Sequence, residues 1–115
     1  MELSELQGLA EEYGKALLEE LERKQDLASQ ESELESAEVF ALKEASDAGE
    51  IDGKNAESRK LQSASVIANS ALCKSARWSV DNCKCEVDKA RAECARIDAE
   101  IGLTKAWFYS QAHIG

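Results

Sequence analysis

The sequence predicts an all-α fold: a long antiparallel two-helix hairpin of coiled-coil type, assembling into a dimeric or higher helical bundle. Three observations carry this expectation. Apolar residues recur at helical spacing through long stretches on both sides of a single break. That break, residues 45–55, holds the concentrated turn signal of the chain. The 115 residues include no proline and only six glycines, so few turns are available and elements must be few and long. The organisation read from this is one helical-hairpin domain over 1–115, with arm one at about 3–47, a turn at about 48–54, arm two at about 55–100 and an aromatic tail at 101–115.

In arm one the apolar positions run Leu6, Leu9/Ala10, Tyr13, Leu17, Leu21, Leu27/Ala28, Leu34, Ala37/Ala41, Leu42 and Ala45, embedded in Glu, Lys, Gln and Ala, all good helix formers. Between Lys24 and Ser36 the stripe thins, which predicts a weakly packed middle. Gly49 then suits a left-handed helix C-terminus, Ile51 can plug the end of the seam, and Asn55 suits an N-cap. Arm two carries Leu61, Ala64, Ala68, Leu72, Ala76, Val80, Cys83, Val87, Ala90, Cys94, Ile97 and Ile101; from Ala76 the steps alternate four and three, a heptad seam of small residues. Neither arm contains a breaker in its middle, so each is expected to run unbroken, roughly 65–80 Å at 1.5 Å per residue.

Charge is divided between the arms. Residues 1–50 carry 15 acidic and 4 basic side chains, and residues 51–115 carry 8 acidic and 10 basic, giving the total of -9. Opposite-leaning arms favour pairing with each other, and an acidic arm also suits a basic protein partner. A chain this acidic does not grip phosphate backbones with its whole surface. No stretch is long and apolar enough to span a bilayer, and Met1–Glu5 lacks the layout of a secretory signal, so the expected location is cytoplasmic.

With the turn centred near Glu50–Asp52, residue 2 faces about residue 100, and residues 101–115 have no cover from their own chain. The uncovered apolar set is Ile101, Leu103, Ala106, Trp107, Phe108, Tyr109 and Ile114. An exposed cluster of this kind is adhesive, and a two-helix domain is marginal alone. Ile101, Leu103, Trp107, Phe108 and Tyr109 are therefore the expected interface with a second copy or more. The alternative is that Gly102 lets the tail fold back over its own hairpin.

Few catalytic chemistries fit. Cys73, Cys83, Cys85 and Cys94 lie too far apart along one helix, or point too far apart, to be bridged or to share a zinc ion. Cys83 and Cys94 occupy seam positions and read as small hydrophobes, whereas Cys73 and Cys85 are candidates for exposed thiols. The single histidine, His113, has no nucleophile placed beside it, and the loop Gly49–Asn55 lacks the spacing of a phosphate-binding loop. No enzymatic activity, cofactor or metal is expected.

The tip of the hairpin is less easily explained by helix stability. Lys54, Arg59 and Lys60 set positive charge at a helix N-terminus, where the macrodipole favours acids. They either pair with Asp47, Asp52 and Glu57 or, together with Asn55, form a basic contact for an anion or an acidic partner. At this tip the run Ala45 through Gly49, Ile51, Gly53, Lys54, Asn55, Ala56, Glu57 and Arg59 resembles small helical-hairpin proteins encoded in phage and prophage genomes. The resemblance covers about fifteen residues. It implies a phage origin, an accessory role in the host cytoplasm and a partner such as a replication or recombination factor, a virion component or a host defence protein; it carries over no catalytic residue.

The expectation is thus a non-enzymatic, oligomeric interaction protein that binds itself and another protein through its acidic arm or its tip, without a membrane. The alternative is a nucleic-acid-binding accessory factor acting through the basic tip.

Overall fold

The computed structural model describes residues 3–114, with side chains for residues 3–112. His113 and Ile114 lie outside the described side chains. The described residues form three helices: α1 (Leu3–Asp47), α2 (Ala56–Asn69) and α3 (Ala71–Ile114). The fold is all-helical, and among the described residues no helix is long and apolar enough to cross a membrane.

The second arm is not one unbroken helix. Ser70 leaves the helical conformation at φ -74°, ψ 121°, donates its N–H to the Ile67 carbonyl, and so closes α2. Its hydroxyl then accepts from the Cys73 N–H at 3.3 Å and its carbonyl from Lys74 at 3.0 Å, which opens α3. Asn69-Ser70 is the local cause: short polar side chains offer the backbone bonds that compete with a continuing helix. The break shifts the phase of the apolar stripe. Leu61, Ala64, Ala68 and Leu72, expected in the seam, are exposed, and α2 buries no residue fully.

The chain divides into two compact units. In the first, Met1–Gln25 with Cys85–Gly115, α3 presents Val87, Ala90, Cys94, Ile97, Ile101, Thr104 and Phe108, all buried or half-buried and stepping strictly by three and four. α1 answers with Leu6, Leu9, Tyr13 and Ala16, and a core forms where Ala16 meets Cys94 and Ile97, with Tyr13 and Ile101 against it. The α1 seam then continues through half-buried Glu20 and Arg23, while Leu17 and Leu21, expected in it, face solvent. In the second unit, Asp26–Lys84, α1 contributes Leu27, Gln30, Leu34, Ala37, Ala41 and Ala45, and α3 contributes Cys73, Ala76, Val80 and Cys83. Here Arg77 reaches across to Glu38 at 3.3 Å. Other ion pairs, Arg23–Glu19, Lys24–Glu20, Lys89–Glu86 and Arg96–Glu93, stay within one helix, so they support helicity by tenths of a kcal/mol each.

The tail is covered further than the sequence predicts. A tight turn centred near residue 51 would set Ala16 against about residue 86 and Glu38 against about residue 64; the contacts of Ala16 with Cys94 and Ile97 and of Glu38 with Arg77 are displaced from this by about ten and about thirteen residues. The displacement originates in the connection 48–55, which lies back along the first turns of α2 and leaves them without α1 alongside. Leu3 is consequently level with about residue 108. Ile101 and Thr104 are thus enclosed by their own chain, and 101–114 simply continues α3.

The cysteines give a direct check. All four are free thiols. Cys85 is exposed as expected, but Cys73, read as a candidate exposed thiol, is 1% exposed because the break at Ser70 turns it into the seam. Burial, and secondarily the Glu20 carboxylate, raises the Cys94 thiol above its ordinary range. The folded state holds that proton more tightly than the unfolded chain, so this contribution to stability is intact below the ordinary thiol range and is lost as pH climbs toward the folded value. A thiol reagent at mildly alkaline pH is expected to modify Cys85 first and Cys73 and Cys94 only at the rate of unfolding, read by peptide mass mapping over time. Equal rates at Cys73 and Cys85 would contradict the placement of Ser70.

Candidate functional site

The tip is built by paired caps and a latch. α1 ends in a left-handed glycine, Gly49 at φ 78°, with Glu50 N–H donating to the Ala45 carbonyl at 2.9 Å and Gly49 N–H to Ser46 at 3.1 Å. This double bond pattern satisfies carbonyls that the helix end would otherwise leave open. α2 begins at Asn55, whose side chain accepts from the Ser58 N–H at 2.8 Å. Both caps were legible from residue type alone.

The latch was not. The Gln62 carboxamide donates to the Asp52 carboxylate at 2.8 Å and accepts from the Gly53 N–H at 2.8 Å, tying the connection to α2. The Arg59 guanidinium donates to the Gly53 carbonyl at 3.1 Å. Arg59, expected to meet a carboxylate or an outside anion, is therefore engaged in holding the loop. Asp52 is taken by Gln62 rather than by a cation. Lys54 and Lys60 are exposed and belong to no ion pair among the described residues. Of the four tip residues, Asn55 and Arg59 thus have structural work, and the two lysines are open to solvent.

The aromatic cluster is divided by helix geometry. Successive side chains on a helix fan out by about 100°, so Trp107, Phe108 and Tyr109 cannot form one patch on continuous α3. Phe108 points toward the seam and is half-buried, stacking edge-on against Trp107 with ring centroids 5.3 Å apart. Tyr109 emerges on the opposite flank from Trp107. Leu103 and Trp107, one turn apart, share a flank and are 72% and 39% exposed. Of the expected interface, then, Leu103, Trp107 and Tyr109 are presented outward, Ile101 packs against the core of its own chain, and Phe108 is half-buried beside Trp107.

A groove of about 910 Å³ lies in the second unit between Glu44, Ala45, Asp47, Ser65, Val66 and Asn69. Its carboxylates stand in solvent at the open rim, a setting without the enclosure that acid–base chemistry needs. Among the described residues no three His, Cys, Asp or Glu side chains are grouped to hold a metal ion. On the outer surface of α3 the Glu93 carboxyl is held below the usual carboxylate range by the hydrogen bond it receives from Arg96.

Comparison with protein-family models, curated proteins and solved structures finds no match for this chain.

Proposed function

We propose that the chain is a non-enzymatic interaction protein: a long antiparallel helical hairpin of coiled-coil type that associates with itself and docks another protein. One observation carries this reading. The seam between the helices is filled by small side chains such as Ala16, Ala37, Ala90, Cys94 and Val80, whereas Leu17, Leu18, Leu21, Leu103 and Trp107 stand on outer faces. A chain that leaves this many large apolar groups outside its own seam is organised for contact with something else. The turn motif Ala45–Arg59 supports an accessory role of the phage-encoded kind.

Light scattering over a range of concentrations tests it. The expected mass exceeds the 12.6 kDa of one chain and rises with concentration. A single-chain mass at every concentration overturns self-association. Truncation after Glu100 is unsuitable, because it removes Ile101 and Thr104 from the seam.

Exposed Lys54 and Lys60 favour a second reading, contact with nucleic acid at the tip. It predicts binding to single-stranded or duplex nucleic acid that weakens steeply with salt and vanishes in Lys54→Glu/Lys60→Glu. No binding at low salt removes this reading.

A further inference from the structure

α1 carries two apolar faces, and α3 covers one of them. With Leu6, Leu9, Tyr13 and Ala16 at the a and d positions that face α3, Leu3, Ala10 and Leu17 fall at e, and Gly14 and Leu21 at b. All five are exposed, as is Leu18 beside them; Leu17, Leu18 and Leu21 are 44%, 62% and 52% exposed. The steps Ala10, Gly14, Leu17, Leu21 are four, three and four, so this second face is itself a coiled-coil seam. A Cβ added at Gly14 would meet nothing within 4 Å, so the space above the face is open and a helix can approach closely there. A helix with two seams is built to lie between two others.

We propose that the second face of α1 binds the same face of a second copy, with the two α1 helices antiparallel about a two-fold axis near residue 19. This rests on the proposed self-association and names its surface. Charge selects both occupant and direction. In this register Leu17 of each copy meets Leu21 of its mate, the two Leu18 side chains flank the axis one residue to either side of it, and Lys24 lies over Gly14 beside Glu11. Lys24 is exposed and pairs with Glu20 of its own helix, at 3.0 Å, while Glu11 has no ion pair among the described residues. Each axis-related pair thus supplies two Lys24–Glu11 contacts. Parallel pairing instead stacks Glu11 on Glu11 and Lys24 on Lys24, and it aligns the whole of an arm that carries 15 acidic against 4 basic side chains. The antiparallel arrangement overlaps residues 3–35 of the two copies and leaves the acidic remainder of each α1, 36–47, outside the contact. It also forms a closed, isologous contact, and it leaves the Leu103–Trp107 flank of α3 for a different protein.

Sedimentation equilibrium with the full chain tests the face. The wild type is expected to weigh twice 12.6 kDa. Leu17→Glu/Leu21→Glu should sediment as a single chain while keeping its helical circular dichroism, since neither side chain supports the fold of one chain. The charge prediction is sharper. Lys24→Glu and Glu11→Lys should each weaken self-association by about tenfold, two like-charge contacts replacing two opposite ones. An equimolar mixture of the two single variants should recover the dimer as a heterodimer, because each contact then joins opposite charges. An unchanged dimer in Leu17→Glu/Leu21→Glu, or loss of the dimer only in Leu103→Glu/Trp107→Glu, overturns this face while sparing self-association. A wild type that stays at 12.6 kDa to about 100 µM overturns both.

Discussion

Ile97→Ala is expected to lower the stability of the first unit by about 2–4 kcal/mol, while Leu21→Ala changes the stability of a single chain by less than about 0.5 kcal/mol. The two substitutions remove aliphatic groups of similar size and differ only in what surrounds them. Ile97 is 2% exposed and meets Ala16 and Cys94, small neighbours whose backbones lie too close to collapse into the space left behind. Removing its outer carbons therefore loses both transfer free energy and the contacts of a cavity wall. A small helical domain has a stability of order 5–10 kcal/mol, so the loss is a large share of the total. Thermal melts followed by circular dichroism below the concentration of self-association should show Ile97→Ala melting roughly 10–15 °C lower, with Leu21→Ala close to wild type. Equal shifts would mean that α1 pairs with α3 through its leucine face and that the seam is wrongly placed.

That contrast also shows where periodicity is decisive and where it is blind. The α3 seam from Ala76 to Ile101 was legible because one face alone is consistently apolar, and the structure extends the same steps to Thr104 and Phe108. α1 offers two faces. Ranking residues by hydrophobicity selects Leu17 and Leu21, yet the face that meets α3 carries buried Ala16, against Cys94 and Ile97, followed by half-buried Glu20 and Arg23. No pattern within one helix reveals the shape of its partner. Gly49 and Asn55 were legible because a left-handed C-terminus and an N-cap each demand particular residue types. Ser70 was not, since serine inside a helical pattern is common and becomes a break only when it caps in both directions. Missing it, together with the fold-back of residues 48–55, displaced the pairing by roughly ten residues and set the start of the uncovered end near residue 101 rather than near residue 108. Within the candidate interface Leu103, Trp107 and Tyr109 are outward groups, whereas Ile101 packs partly against the Ala16–Cys94–Ile97 core of its own chain.

Gly53→Val is expected to cost about 2–3 kcal/mol, concentrated in α2. Gly53 has no need of positive φ; its requirement is space. A Cβ there would lie 2.7 Å from the Ser58 Cβ and 2.9 Å from the Arg59 backbone nitrogen, so the backbone must move rather than a flexible side chain. Movement pulls the Gly53 N–H from Gln62 and its carbonyl from Arg59, and with them goes the reason for the connection to lie along α2. Gln62→Ala removes the other half of the same latch, two hydrogen bonds of 2.8 Å, at about 1–2 kcal/mol. Because both substitutions undo one structure, their combination should cost distinctly less than the sum of the two. Gly49→Ala makes a useful contrast: space is open around it, but φ 78° imposes about 1 kcal/mol of strain, and that cost should add in full to either. Hydrogen exchange locates the effect. α2 buries no residue fully, so its helix depends on the latch at one end and Ser70 at the other, whereas Val80, Val87 and Ile97 anchor α3 independently. Faster exchange confined to Arg59–Asn69, with α3 still protected, is the expected signature; loosening of α3 to the same extent would show that the connection holds the seam itself in register.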